Sequence, residues 1–240
     1  MNKKIRLYFS DKIQSNLVVH LKKEQSHYLK DVMRLKAGDI FSVFNSQGEW
    51  KARVVNYEKQ SAKIKILEKF RDKKNEQNIW LAFTPIKQNP LNFMIQKATE
   101  LGVQKFIPII SERTAVKDIN IDRIKKIIIE SAEQSNRISV PEISTLATLK
   151  NFISNFPQKG CLIFCDINCD KSNLRNILLK KYLGPICILI GPEGDFSENE
   201  RTLILDLKQS QPISLAKNIL RAETAAVAAV TLVNYHLNLS

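Results

Sequence analysis

Apolar residues follow two different periods along this chain, and the change between them divides it. Up to Leu67 they come as short alternating runs, Ile5–Phe9, Ile40–Phe44, Trp50–Tyr57 and Ala62–Leu67, around one helix-spaced stretch, Lys23–Arg34. Alternation puts every second side chain on one face of a strand, so this part predicts a small, mostly-β barrel. From Ile79 onward the strand-length runs are almost wholly apolar: Ile79–Phe83, Phe106–Ile110, Leu162–Cys165, Ile186–Ile190 and Pro212–Leu215. Helix-spaced segments separate and follow them, at Leu91–Leu101, Ile121–Asn136, Lys171–Lys180, Glu198–Leu207 and Ala222–Leu237. Strands apolar on both faces, alternating with helices, predict an α/β fold with a parallel sheet covered on both sides. Gly102 follows the helix-spaced residues Lys97 to Leu101 and is placed to end that helix. The polar run Glu68–Gln77 reads as a linker, giving two domains, 1–72 and 73–240.

Charge sharpens that division. Residues 1–74 carry 18 Lys+Arg against 8 Asp+Glu, net +10, whereas residues 75–240 carry 19 against 16, net +3. A basic small domain on a near-neutral larger one fits a module that grips a polyanion, because Lys and Arg release counterions from phosphates. A well-solvated surface is the plainer reading of the same charge. No apolar run reaches the eighteen or so residues of a membrane span, and the amino terminus MNKKIRLYFSDK has no signal-peptide core. A soluble, cytoplasmic protein without a membrane partner is expected. Cys161, Cys165 and Cys169 form no CxxC, and the nearest acids, Asp166 and Asp170, suit zinc poorly, so no metal is expected. The chain has seven glycines, with neither GxGxxG after its first βα strand nor GxxxxGK[ST], so a dinucleotide fold and a P-loop lack support.

Two segments concentrate the candidate chemistry. In CILIGPEGDF, residues 187–196, a buried strand runs into a turn at Gly191–Gly194, and Ser197 with Glu200 has the spacing of a capping box for the next helix. In SLAKNILRAETAA, residues 214–226, an apolar strand end leads through Lys217, Asn218, Arg221, Glu223 and Thr224 into a helix of small residues. Strand-to-loop-to-helix edges of this kind are where α/β proteins hold ligands.

The same segments resemble the bacterial 16S ribosomal RNA uridine-N3 methyltransferases of the RsmE type, within the SPOUT class. The likeness continues in Gln96–Val103, in Ser111-Glu112-Arg113, in Ala132-Glu133-Gln134-Ser135 with Arg137 and Pro141, and in Arg6, Phe9, His27 and Val32–Lys36 before Gly38-Asp39. The resemblance implies a SPOUT-type parallel sheet with a C-terminal trefoil knot, preceded by a small PUA-like RNA-binding barrel. It implies methyl transfer from S-adenosylmethionine to N3 of a specific uridine, U1498, in the 16S rRNA of the 30S subunit, by a homodimer. Carried over residue by residue, cofactor contacts fall on Phe164, Gly191, Glu193, Gly194, Leu215, Asn218, Leu220 and Thr224. Catalytic roles fall on Arg221 and Glu223, and RNA contacts on Arg6, His27, Arg34, Lys36, Arg113 and Arg137. One departure is Ala216, where many relatives carry glycine.

Plainer readings stand beside these. Gly191 and Gly194 can serve a turn that needs positive φ. Glu223 and Thr224 can cap the last helix. Arg113 and Arg137 suit phosphate contacts and interface ion pairs equally, and His27 suits packing or a phosphate better than catalysis. Arg221 is expected at the edge of the core, between an apolar run and the small-residue helix. Competing functions are another SPOUT RNA methyltransferase, acting on a ribose 2′-hydroxyl or a tRNA base, and a non-catalytic ribosome-assembly protein. The amino-terminal Val-Met-Arg-Leu-Lys motif disfavours the first and the intact ILRAET loop the second.

Overall fold

The computed structural model describes residues 5–59, 61–73, 76–169, 173–180 and 182–238. The chain divides into two compact units, one of Met1–Asn75 with Ala132–Val140, the other of Glu76–Ser131 with Pro141–Ser240.

The first unit is a five-stranded sheet. Its strands are β1 (Arg6–Tyr8), β2 (Val18–His20), β3 (Ile40–Asn45), β4 (Gly48–Tyr57) and β5 (Ala62–Asp72), and helix α1 (Lys23–His27) continues into a π-turn over Tyr28–Val32. The strand order is β1-β3-β4-β5-β2, with β1 parallel to β3 and the other pairs antiparallel. Among the described residues β1 and β2 stay edges, so the expected barrel is not closed by strand pairing. Alternation works as the sequence predicts: Trp50, Ala52 and Val54 of β4 and Ala62, Ile64 and Ile66 of β5 enter one core with Leu7, Leu29 and Val43. β2 is too short and too exposed to register as a pattern. The linker reading needs correction, because β5 runs through Glu68 to Asp72, pairing Trp50 with Lys69 and Gly48 with Asp72. Backbone pairing rather than burial holds that polar tail, so no hydrophobic signal marks it.

The second unit is a parallel seven-stranded sheet. Its elements run β6 (Ile79–Phe83), α2 (Gln88–Glu100), β7 (Lys105–Ile110), α3 (Ile121–Gln134), β8 (Glu142–Ile143), β9 (Ala147–Thr148), α4 (Leu149–Ser154), β10 (Cys161–Cys165), α5 (Leu174–Leu178), β11 (Ile186–Ile190), α6 (Glu198–Leu205), β12 (Ser210–Ile213) and α7 (Ala222–Asn238). The order is β12-β10-β11-β6-β7-β8, with β9 also on β7. Lys171, the expected start of α5, and Asp170, weighed as a metal ligand, lie outside the described residues. The predicted strand Pro212–Leu215 shifts to Ser210–Ile213, an edge position where proline's missing N–H is tolerated. Gly102 ends α2 as expected: at φ 99° it is C′ of a Schellman motif, with Gly102 N–H on Thr99 and Val103 N–H on Ala98.

Candidate active site

Because the sheet is parallel, β11, β10 and β12 deliver their carboxyl ends to one edge. The loop after β10 knits the other two together. Asp166 N–H bonds the carbonyl of Ile213 at 2.9 Å, and Asn168 Nδ2 reaches Asp195 at 3.3 Å. Asp166 is buried, and its Oδ2 accepts twice from Arg201 of α6, at 3.0 Å from Nε and 2.7 Å from Nη2. That bond pushes the Arg201 guanidinium up from its already high value.

In the turn after β11, the carbonyl of Ile190 is held by Thr84 N–H at 3.2 Å. Positive φ falls on Asp195, at 59°, and on neither Gly191 nor Gly194, which overturns the backbone-conformation reading of those glycines. Gly191 has a steric reason instead, since a Cβ there would stand 2.9 Å from the Phe196 ring. At Gly194 a Cβ would meet only Arg113 side-chain carbons, at the ordinary distance of 3.8 Å. The chain's own packing therefore leaves the bare backbone at 194 unexplained. Glu193 and Gly194 are exposed. Ser197 closes the expected capping box, its N–H on Glu200 at 3.1 Å and its hydroxyl accepting from Glu200 N–H at 3.3 Å.

The loop after β12 offers apolar side chains to solvent: Ile219 is 84% exposed, and Leu215 and Leu220 are half-buried. Asn218 and Arg221 are exposed, which corrects the expectation of Arg221 at the edge of the core. Burying a guanidinium demands partners, and the neighbour that goes inward is the small apolar Ala222. Among the described residues the Arg221 side chain makes no hydrogen bond or ion pair, and Ala225 N–H on the Arg221 carbonyl at 2.8 Å opens α7. Glu223 is half-buried and Thr224 exposed, in the first turn. Neither makes a capping hydrogen bond among the described residues.

Three of the expected contact residues are buried. Phe164 is fully buried, edge-on to Phe196 with ring centroids 5.7 Å apart, so its ring supports the turn from inside. Arg6 is buried in the first unit. Its Nε meets Glu49 at 2.8 Å, and its Nη atoms donate to the carbonyls of Ala132, Glu133 and Arg137 at 3.0, 3.0 and 2.6 Å. Arg137 is buried too, with Nη2 on Ser139 at 2.8 Å. Neither arginine presents its charge at the surface. His27, Arg34 and Lys36 are exposed in the first unit, His27 pairing with Asp31 at 2.6 Å. Arg113 is exposed in the second unit and donates to the carbonyl of Gly194 at 3.0 Å.

Sequence reasoning missed Asp166 and Arg201 as a pair, and missed that Glu200 also accepts Glu112 N–H at 2.8 Å. An acid directly after the apolar run Cys161–Cys165 is a local hint of the first. The second joins residues 88 apart and has no local signal.

Residues 73–234 match the RNA methyltransferase domain family, and residues 21–67 the RNA methyltransferase PUA domain. A ribosomal RNA small subunit methyltransferase E of Rickettsia conorii is 32% identical over 94% of this chain and 93% of its own. A crystal structure of the enzyme of that name from Neisseria gonorrhoeae, bound to S-adenosyl methionine, superposes with TM-score 0.84 at 28% identity, covering 96% of this chain and 97% of the other. A Legionella pneumophila protein in complex with the bound cofactor SAM gives TM-score 0.88 at 26% identity, over 97% and 98% of the two chains. A glycine-bearing turn, an apolar loop with an exposed arginine and a basic β unit thus occur in a chain that belongs to the RNA methyltransferase family with an amino-terminal PUA domain.

Proposed function

We propose that this protein transfers a methyl group from S-adenosylmethionine to N3 of a uridine in 16S rRNA of the small ribosomal subunit, U1498 by resemblance. The observation that carries the reading is the Arg221 guanidinium, exposed and, among the described residues, unpaired at the start of α7, after a loop whose Ile219 is 84% exposed. The relatives' name, ribosomal RNA small subunit methyltransferase E, and the cofactor bound in the solved neighbours support the coarser reading, S-adenosylmethionine-dependent methylation of small-subunit rRNA. The carboxyl-terminal chain is proposed to thread into the trefoil knot of the SPOUT class, and a second copy to complete the site in the cytoplasm.

The residues fit the cofactor. Gly194 leaves backbone open where nothing in the chain requires glycine, and Leu215, Ile219 and Leu220 offer the apolar slot an adenine ring needs. Gly191, Glu193, Asn218 and Thr224 are the polar and backbone groups that would orient the rest. When bound, the cofactor supplies an electrophilic methyl group on a positively charged sulfur. The N3 proton of the uracil must leave as the N–CH3 bond forms and the sulfur–methyl bond breaks to leave a neutral thioether, and negative charge develops on the flanking carbonyl oxygens. Arg221 supplies a fixed positive charge for those oxygens. Glu223 or Glu193 accepts the proton, directly or through water. N3 lies on the Watson–Crick edge, so the uridine must be unpaired or extruded. His27, Arg34 and Lys36 of the PUA unit hold phosphates.

Calorimetric titration with S-adenosylmethionine should give stoichiometric binding and a raised melting temperature. Mass-spectrometric mapping of rRNA from a deletion strain should find one uridine unmethylated. Retention of every methyluridine in that strain overturns the substrate assignment.

A further inference from the structure

Glu200 joins two loops that are far apart in sequence. Glu200 is 8% exposed, with one carboxylate oxygen on Ser197 N–H at 3.1 Å and the other on Glu112 N–H at 2.8 Å. The helix cap needs only the first of these bonds. The turn carrying Glu112 is stiff in its own right, because Ser111 N–H and Ser111 Oγ both lie 2.8 Å from Thr114 Oγ1 and both hydroxyl residues are buried. The next residue, Arg113, reaches across to the Gly194 carbonyl at 3.0 Å. The 111–114 turn therefore grips the 191–200 segment twice, by a backbone N–H on Glu200 and by a guanidinium on Gly194.

We propose that Glu200 and Arg113 are positioning residues for the Gly191–Gly194 turn, bracing it in its ligand-ready form, with Arg113 working on the turn rather than on RNA phosphate. The inference rests on the reading of that turn as the cofactor site. Neither side chain needs to touch the ligand. A carboxylate suits the junction because both of its oxygens only accept. Glutamine has one acceptor, and its amide would aim a donor at the second N–H. A turn held correctly in only about one molecule in ten would bind about ten-fold more weakly.

The test uses the full chain and S-adenosylmethionine itself. Glu200→Gln and Arg113→Ala should each raise its dissociation constant, by about ten-fold for the buried carboxylate. Turnover at saturating cofactor should stay near wild type, the split expected when binding rather than chemistry is impaired. Arg113→Ala should leave RNA affinity unchanged. A purely architectural role would lower the melting temperature with the dissociation constant at 25 °C unmoved, and wild-type affinity in both variants overturns the proposal. Should Glu200→Gln not fold, the exposed Arg113→Ala decides alone. If the wild-type chain itself gives no binding, the cofactor reading fails, and hydrogen exchange at Glu193, Gly194 and Asp195 then tests the brace. Faster exchange in both variants supports it, and unchanged exchange overturns it.

Discussion

Glycine at 194 is the position where the chain's internal packing and its chemistry part company. Its φ is not positive and a Cβ there would meet only Arg113 side-chain carbons, at the ordinary distance of 3.8 Å, so Gly194→Val should fold normally. The branched Cβ should nonetheless weaken S-adenosylmethionine binding, by on the order of ten-fold or more, measurable by calorimetry. Arg221→Ala should lower turnover by roughly a hundred-fold or more with little change in cofactor affinity, in single-turnover assays on 30S subunits. Glu223→Gln separates two roles. If Glu223 takes the N3 proton, the variant should recover as pH rises toward ionisation of the imide, and a pH-independent loss rules that out. The buried thiols of Cys161 and Cys187 are pushed up, chiefly by desolvation. In the unfolded chain they ionise near the ordinary value of about 8.5, so above that pH the unfolded state binds fewer protons and stability falls. Urea midpoints should therefore decline from pH 8 to pH 10, and Cys→Ser variants should flatten the decline. The residue types at all these positions were legible in the sequence. The burial of Arg6 and Arg137 was not, because an arginine carries no mark of where its partners lie.

At the scale of elements, local rules worked where local chemistry sets the outcome. The Schellman end of α2 and the capping box of α6 follow from Gly102 and from Ser197 with Glu200. α4 went unread because six residues are too few for a helical period, although Thr148 caps it through Asn151 N–H. The end of α3 depends on something more distant. Arg6 donates to the carbonyls of Ala132 and Glu133 in the last turn of the helix, while Glu49 neutralises it from β4. Arg6→Ala would leave Glu49, at 1% exposure, with Arg71 as its one charged partner among the described residues, at 3.2 Å. Breaking a buried pair of this kind costs about 3–5 kcal/mol. Arg6→Lys should recover only part, since an ammonium cannot make the same fork of bonds. Urea unfolding should register both, and a change within experimental error of zero for Arg6→Ala would contradict the clamp.

For the whole molecule, the net charge of +10 on residues 1–74 makes RNA affinity a salt-dependent quantity. A protein making several phosphate contacts loses on the order of a thousand-fold in affinity between 50 and 200 mM salt. Replacing Arg34 and Lys36 by Glu should weaken RNA binding and reduce the slope of log affinity against log salt by about one for each phosphate that is no longer neutralised. Cofactor binding should not change. A slope equal to wild type would remove these residues from the RNA interface. Leu232 and Tyr235 on α7 are exposed large side chains in keeping with the proposed second copy. Light scattering at micromolar concentration should find a dimer, and a fully active monomer would overturn that assignment.

The sequence by itself determined the two-part plan, the parallel α/β character of the second part and the two loops that carry the chemistry. Each depends on periodicity or on residues within one turn of each other, where side-chain spacing and backbone geometry are coupled directly. Tertiary structure decided what rests on partners distant in the chain. It moved Ala132–Val140 into the first unit, buried Arg6 on its carbonyls, and tied Glu112 to Glu200. It also separated two glycines that look alike in GPEG, one required by the Phe196 ring and one left bare. Hydrogen bonds and steric limits between remote residues exist only once the chain has closed on itself, and no local pattern encodes them.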